Sequence, residues 1–382
     1  MSRRVALLRT NFLPYSETFI HDQLRLHQRY EAEVFCRQHR NADRFTGHTV
    51  HAVEAVPQGR KAVRSALFGA TSLSRRLDRA FDQGRFDIIH AHFGHNALYG
   101  LRWSLTREVP MVVSLHGRDV SLLISKDRYS PRWVHYTVGV RALFRHVDRF
   151  LAASTELKTL IEGVGCPPEK VVVHRLGVDL EQFVPGPGPD PDQPPQVVMV
   201  GRFVEKKGHL DGLKAAARAR DAGLDFRLTI LGDGDLRPEY ERVIAELGLG
   251  GVVSLPGPAP HAEVVAAMKR ATVVLTPSVV AANQDRESGL IVAKEAAACA
   301  VPVVGTLHGG IPEIIDDGET GFLVPERDPV ALGDRLIQLL KDPALRARMA
   351  AAARAKMERE YDNRERVAAL EGIYDQVIAA RR

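Results

Sequence analysis

The chain is expected to fold as an α/β protein with two doubly wound domains, and three features of the sequence lead there. It is 382 residues long, more than one ordinary hydrophobic core organises. Short apolar or β-branched runs alternate with amphipathic, helix-like segments in both halves, the pattern of parallel strands joined by helices. Between the halves stands P-G-P-G-P-D-P-D-Q-P-P at 185–195. Proline there removes backbone donors and fixes φ, so the stretch reads as a stiff, extended linker.

In the first half, Val5–Leu8, Ile88–His90, Val112–His116 and Val171–His174 read as buried parallel strands. In the second, Val197–Val200, Arg227–Leu231, Val252–Leu255, Val273–Thr276, Pro302–Gly305 and Phe322–Val324 read the same way. Segments around Leu210–Arg220, Pro238–Leu247, Ala262–Lys269 and Gly289–Cys299 read as the helices between them. Near the end, Val367, Leu370, Ile373 and Val377 recur at helical spacing. The expected division is therefore a domain over 1–184, the linker at 185–195, a second domain over 196–358 and a terminal helix over 359–382.

Composition excludes several classes. A hydrophobic content of 45% with 26% charged residues describes a soluble globular protein. The net charge of +5 is mild and its cations are interspersed with anions, which argues against a nucleic-acid partner. No apolar run approaches the roughly 18 residues that span a bilayer. Met1–Leu8 is too short in apolar residues for a secretory leader. Three cysteines, Cys36, Cys166 and Cys299, are odd in number and widely spaced, as expected of reduced thiols in a cytoplasmic protein.

The chemistry concentrates between Asp285 and Val324, D-R-E-S-G-L-I-V-A-K-E-A-A-A-C-A-V-P-V-V-G-T-L-H-G-G-I-P-E-I-I-D-D-G-E-T-G-F-L-V. Glu287 and Glu295 flank seven residues, where a helix begins beside the end of a parallel strand, the usual place for a ligand in an open sheet. Ser288 suits a helix N-cap, leaving Glu287 just outside and Glu295 within. Backbone N–H groups of Gly289 and Leu290 would then be free for a phosphate or sugar. The alternative is that Glu287 complements the helix dipole and Glu295 pairs with a neighbouring cation.

Upstream, V-M-V-G-R-F-V-E-K-K-G-H sets Gly201 and Arg202 at a strand end and Lys207 before the next helix. An Arg and a Lys so placed can close on one diphosphate, helped by the helix N-terminus. Taken by themselves they read equally well as solvated surface cations. Gly232 and Gly234 in L-G-D-G fit either a tight turn or a ligand-lining loop. In the first half, H-A-H-F-G-H brings His90 and His92 to one face of a strand, with His95 beyond and His116 in S-L-H-G-R-D. A zinc site is the sharp alternative for these histidines. No cysteine pair or carboxylate completes a familiar ligand spacing, so no metal is expected.

The Asp285–Val324 segment resembles the signature of retaining, nucleotide-sugar-dependent glycosyltransferases of family 4. Ala296–Val324 reproduces that family's alanine-rich helix, proline-led strand, G-G-I-P-E and D-G-x-T-G-F-L-V, and Gly201–Gly208 reproduces its G-R-x-x-x-x-K-G clamp. Ala300 departs from it, standing where the family usually has Gly and giving up the left-handed conformation Gly offers. T-N-F-L-P-Y-S-E-T-F-I lacks the family's usual glycine pair and matches a subset that builds exopolysaccharides and lipid-linked saccharides.

The resemblance implies a GT-B fold, two Rossmann-like domains facing across a cleft, with the terminal helix crossing back onto the first. It implies retaining transfer of a sugar from a nucleoside diphosphate sugar to a saccharide or lipid-linked acceptor, with neither metal nor further cofactor. Arg202 and Lys207 would neutralise the leaving diphosphate. Glu287, with Gly201, Ser288, Gly289 and Leu290, would hold the donor sugar, and Glu295 the ribose. His116 would complete the catalytic cleft, and Asn11, Ser16, Glu17 and His92 are the acceptor-side candidates. Arg60–Arg79 mixes basic and apolar residues at helical spacing, fitting either a core-packed helix or peripheral contact with an anionic membrane. The rival functions are a sugar-nucleotide epimerase of the same fold and a non-catalytic saccharide-binding protein.

Overall fold

The computed structural model of the chain describes residues 2–12, 18–41, 46–54 and 73–381. The chain divides into two units, Met1–Leu176 with Asn363–Arg382, and Gly177–Asp362.

In the first unit the elements run β1 (Arg3–Phe12), α1 (Thr18–Leu26), β2 (Tyr30–His39), β3 (Thr49–Glu54), α2 (Arg75–Gly84), β4 (Ile88–His92) and α3 (Gly94–Thr106). They continue with β5 (Met111–Leu115), α4 (Arg118–Ile124), α5 (Val134–His146), β6 (Arg149–Ala152), α6 (Thr155–Gly163) and β7 (Val171–Val173). The strands form one parallel sheet in the order β3-β2-β1-β4-β5-β6-β7. Its direction of growth reverses between β1 and β4. At such a switch point the loops beyond the strand C-termini part and leave a crevice.

The second unit repeats the scheme with β8 (Gln196–Val200), α7 (His209–Asp221), β9 (Arg227–Leu231), α8 (Arg237–Glu246), β10 (Val253–Gly257), α9 (His261–Arg270) and β11 (Val273–Thr276). Then come α10 (Ile291–Ala298), β12 (Val303–Thr306), α11 (Ile311–Ile314), β13 (Gly321–Val324), α12 (Pro329–Lys341) and α13 (Pro343–Glu360). Its six parallel strands lie in the order β10-β9-β8-β11-β12-β13, so the reversal falls between β8 and β11. The last helix, α14 (Asn363–Ala380), belongs to the first unit.

Both sheets are covered on both faces, which is why their strands read as continuous apolar runs. Val5, Ile88, Val112 and Leu151 turn one way onto Leu370, Tyr374 and Val377 of α14. Ala6, Leu8, Ile89 and Val113 turn the other way onto Leu77 and Phe81 of α2, Trp103 of α3 and Leu143 of α5. In the second unit Met199 and Leu275 face Leu213 of α7 and Leu336 of α12, while Val198 and Val274 face Ala293 of α10 and Met357 of α13.

Several expectations change. The division falls at Leu176/Gly177, not at 184, because Val178 and Phe183 bury themselves in the second unit and Val178 N–H donates to Tyr361 O at 2.8 Å. Residues 185–195 form neither helix nor strand and are mostly exposed, but they belong to the second unit and do not stand between two bodies. The final segment is two helices, α13 in the second unit and α14 in the first, and no single helix from 359.

Strands β2, β3 and β6 were not anticipated. Glu31, Glu33 and Arg37 dilute the apolar run of β2, and β6 has only four residues. Helices α12 and α13 were also missed, although Asp328 and Asp342 cap them and proline opens each, a signal legible in D-P-V and D-P-A. The left-handed conformation that Ala was expected to forgo at position 300 is adopted all the same, at φ +56°. Val301 N–H donates to Ala296 O and Ala300 N–H to Ala297 O, both at 3.0 Å, the paired bonds of a Schellman ending.

Of Arg60–Arg79, residues 60–72 lie outside the described part. The rest leads into α2, which buries Leu77 and Phe81 in the core. Among the described residues no helix is long and apolar enough to cross a membrane.

Candidate donor site

Beyond the C-terminal ends of β8, β11, β12 and β13 the second unit places Lys206 and Lys207, Glu287, His308 and Glu326. Two glycines let the first two of those loops meet. Gly201 ends β8 at φ +156°, and a Cβ there would lie 2.9 Å from Cε of Lys207, whose side chain passes over it. At Gly208, φ +62°, a Cβ would stand 1.7 Å from the carbonyl oxygen of Pro277, so only glycine allows the backbones after β8 and β11 to touch. Gly232 and Gly234 serve packing in the same region, against the backbones of Gly201 and Phe203.

Glu287 stands at the centre. Its Oε1 lies 3.3 Å from Lys207 Nζ and 3.5 Å from Lys206 Nζ, and Lys206 also reaches Asp285 Oδ1 at 3.3 Å. Burial pushes the Glu287 carboxyl up, but Lys207 and then Lys206 outweigh it and hold the group down at about 2. It is an anion held between two cations. Arg202 is exposed on the turn after β8, and Lys206, which sequence reasoning did not single out, is the second cation in contact with Glu287. The K-K pair in E-K-K-G was the available signal.

The helix after Glu287 starts later than expected. It begins at Ile291 with Leu290 as its N-cap residue and no side-chain cap, so Ser288 does not cap it and lies buried in the preceding loop with Leu290. Gly289 is half-buried between them. The first N–H groups of α10 have no intrahelical partner. Glu295, in the body of α10, is 7% exposed.

Two further side chains border Glu287. His308 Nε2 accepts the Glu287 N–H at 2.9 Å, and its Nδ1 meets Glu326 Oε1 at 2.7 Å. They sit in L-H-G-G, inside the Asp285–Val324 segment, and in L-V-P-E, which runs just beyond it, at positions that were not singled out.

In the first unit, His92 and His116 stack at 5.2 Å between ring centroids and share a hydrogen bond of 3.0 Å from His92 Nδ1 to His116 Nε2. Phe19 and Phe93 pack on His116 at 5.0 and 4.6 Å. Burial, with Arg9 and His174 adding to it, pushes the His116 imidazole down to about 3, so it is neutral. His92, the acceptor-side candidate, is fully buried and meets His116 through Nδ1. His90 is equally buried and engaged, with Nδ1 2.6 Å from the Tyr374 hydroxyl and Nε2 2.8 Å from Ser114 Oγ.

Asp119 was missed despite its place in H-G-R-D. It is buried and accepts the backbone N–H groups of Gly94 at 2.8 Å and His116 at 3.1 Å, while burial pushes its carboxyl up to about 6. Asn11 is half-buried near the end of β1. Ser16 and Glu17 lie outside the described residues. Among the described residues no group of three or more His, Cys, Asp or Glu is arranged to hold a metal. Cys36, Cys166 and Cys299 are buried, free thiols.

Comparison with known proteins places this geometry. Residues 184–356 match glycosyl transferases group 1, and residues 17–182 match Glycosyltransferase Family 4. The chain is 35% identical over 299 residues to the proposed colanic acid biosynthesis glycosyltransferase WcaL of Escherichia coli (strain K12), covering 76% of this chain and 71% of that protein. It is 32% identical over 281 residues to the amylovoran biosynthesis glycosyltransferase AmsK of Erwinia amylovora, covering 72% and 67%. In fold it is similar to Anabaena HepE, crystallised with UDP, at a TM-score of 0.78 and 18% identity, over 98% of this chain and 100% of that one. With two parallel doubly wound sheets and both halves matched, the chain belongs to the group 1, family 4 glycosyltransferases of GT-B fold.

Proposed function

We propose that the protein is a retaining glycosyltransferase that moves a sugar from a nucleoside diphosphate sugar to a saccharide or lipid-linked acceptor, in exopolysaccharide or cell-envelope glycan synthesis. The observation that carries this reading is the contact of Lys206 and Lys207 with Glu287 at the switch point of the second sheet. Cations there offset the negative charge that a departing diphosphate gains in the transition state. Lys207 and Arg202 would take the diphosphate, with N–H groups of Gly289, Leu290 and the first turn of α10 beside them. Glu287, an anion at neutral pH, would accept sugar hydroxyls, and Glu295 those of the ribose. The names of the relatives, which assign them to colanic acid and amylovoran synthesis, support the polysaccharide context.

Retention follows without a protein nucleophile. The bond from the anomeric carbon to the leaving phosphate oxygen breaks, and the acceptor hydroxyl bonds to that carbon on the same face. Its proton passes to the leaving phosphate. The neutral His116 and its backbone carbonyl would steady the positive charge that develops on the sugar. No metal is required in this scheme, and the enzyme would act in the cytoplasm, where nucleotide sugars are made.

The test is a thermal-shift screen of nucleotide sugars, then transfer to an acceptor panel in EDTA with NMR of the product's anomeric configuration. Retained configuration in EDTA is expected. An inverted product, or transfer that requires a divalent ion, would overturn the mechanism. An epimer released without acceptor, or saccharide binding without nucleotide binding, would overturn the reaction class.

A further inference from the structure

Glu287 lies in a loop, 277–290, that contains neither helix nor strand, so its position depends on what the loop is tied to. One tie is a chain of three hydrogen bonds. Val280 N–H donates to Glu326 Oε2 at 2.8 Å, Glu326 Oε1 meets His308 Nδ1 at 2.7 Å, and His308 Nε2 accepts Glu287 N–H at 2.9 Å. The His308 ring is fully buried. A backbone amide can only donate, so Nε2 carries no proton and the ring hydrogen sits on Nδ1, where the carboxylate of Glu326 accepts it.

We propose that His308 and Glu326 are positioning residues for the donor site: Glu326 selects the Nδ1–H tautomer of His308, and His308 thereby pins the Glu287 backbone so that its carboxylate meets Lys206 and Lys207. The inference rests on the reading of Glu287 and Lys207 as donor-binding groups. The same pair also ties the loop at two points, Val280 and Glu287, to the ends of two strands, β12 and β13. Replacing Glu326 by Gln defeats the arrangement without emptying it. The amide can accept from Val280, but it then presents N–H groups to Nδ1, which drives the ring to the Nε2–H tautomer and sets two donors, Nε2–H and Glu287 N–H, against each other. A carboxylate that orients a histidine in the Ser-His-Asp triad follows the same logic.

The experiment compares wild type, Glu326→Gln, His308→Ala and Lys207→Ala in the full chain. Histidine tautomers are read by 15N NMR, and turnover is measured with UDP-, GDP- and ADP-sugars. Wild-type His308 is expected as Nδ1–H, with Glu326→Gln shifting it toward Nε2–H. Both relay variants should lose ten- to a hundredfold in kcat/KM, about the loss that a 1 Å misplacement brings. An Nε2–H tautomer in the wild type overturns the proposal, whether or not any donor turns over. So does a Glu326→Gln enzyme with switched tautomer and turnover within threefold of wild type. If Lys207→Ala is also unimpaired, the donor-site reading falls with it. If only Lys207→Ala is impaired, the relay alone is wrong.

Discussion

Lys207 Nζ and Glu287 Oε1 lie 3.3 Å apart, joining the turn after β8 to the loop after β11 across the reversal in strand order. Lys207 ends a single 3-10 turn and Glu287 stands in an irregular loop; Gly201 and Gly208, on either side of Lys207, let the two approach. If Lys207 neutralises the leaving diphosphate, Lys207→Ala should lower kcat/KM by about a hundredfold, or about 2.7 kcal/mol of transition-state stabilisation. Steady-state kinetics with the best donor checks this, and turnover within threefold of wild type would count heavily against the clamp.

The C-terminal helix carries an acid-sensitive anchor. Glu371 Oε1 accepts the backbone N–H groups of Gln28 at 2.8 Å and Arg29 at 2.9 Å, and the residue is 1% exposed. Burial pushes its carboxyl up, but His27 and those two donors outweigh it and hold it at about 2. An unfolded Glu titrates near ~4.3, so the anchor's contribution is complete above that pH and drains away as pH falls toward the folded value. The protection factors of α14 amides, corrected for the intrinsic pH dependence of exchange, should therefore fall through this acid window. Glu371→Gln should flatten the dependence and cost about 2–3 kcal/mol at neutral pH.

Ala300 holds φ +56° at the end of α10, a conformation that costs an L-residue with a Cβ about 1 kcal/mol. Ala300→Gly is expected to raise unfolding stability by about that amount, read as a higher denaturant midpoint at unchanged slope. A lower midpoint would mean that the unfolded-state entropy of glycine dominates.

Asp119 links the strand end carrying His116 to the start of α3 through two backbone donors. Asp119→Ala leaves buried N–H groups without partners and should destabilise the protein by about 2–4 kcal/mol. Turnover measured well below the melting transition should fall as well, because His116 loses its backbone tether. Full activity in a destabilised variant would make Asp119 purely structural.

The fold was legible because strands buried on both faces must be apolar throughout. Val197–Val200 and Val273–Thr276 announce themselves for that reason, and the proline-led P-V-V-G does so for β12. Strand β2 hid because Glu33 is satisfied by Arg4 and His51, partners supplied from other strands. Of the site, Lys207 and Glu287 were readable from residue type and motif. His308 and Glu326 were not, since nothing local distinguishes a histidine that takes up a buried amide from one facing water. Likewise His92 reads as a strand-end ligand until the sheet stacks it beneath His116.

Local rules thus determined on their own the strands whose apolar runs are unbroken, and that cations and acids recur near strand ends, because those outcomes depend on a residue and its near neighbours. Only the tertiary structure decided which of them meet. A hydrogen bond between Glu287 and His308, or a tautomer chosen by Glu326, requires residues from separate loops to come within about 3 Å, and strand order alone brings those loops together.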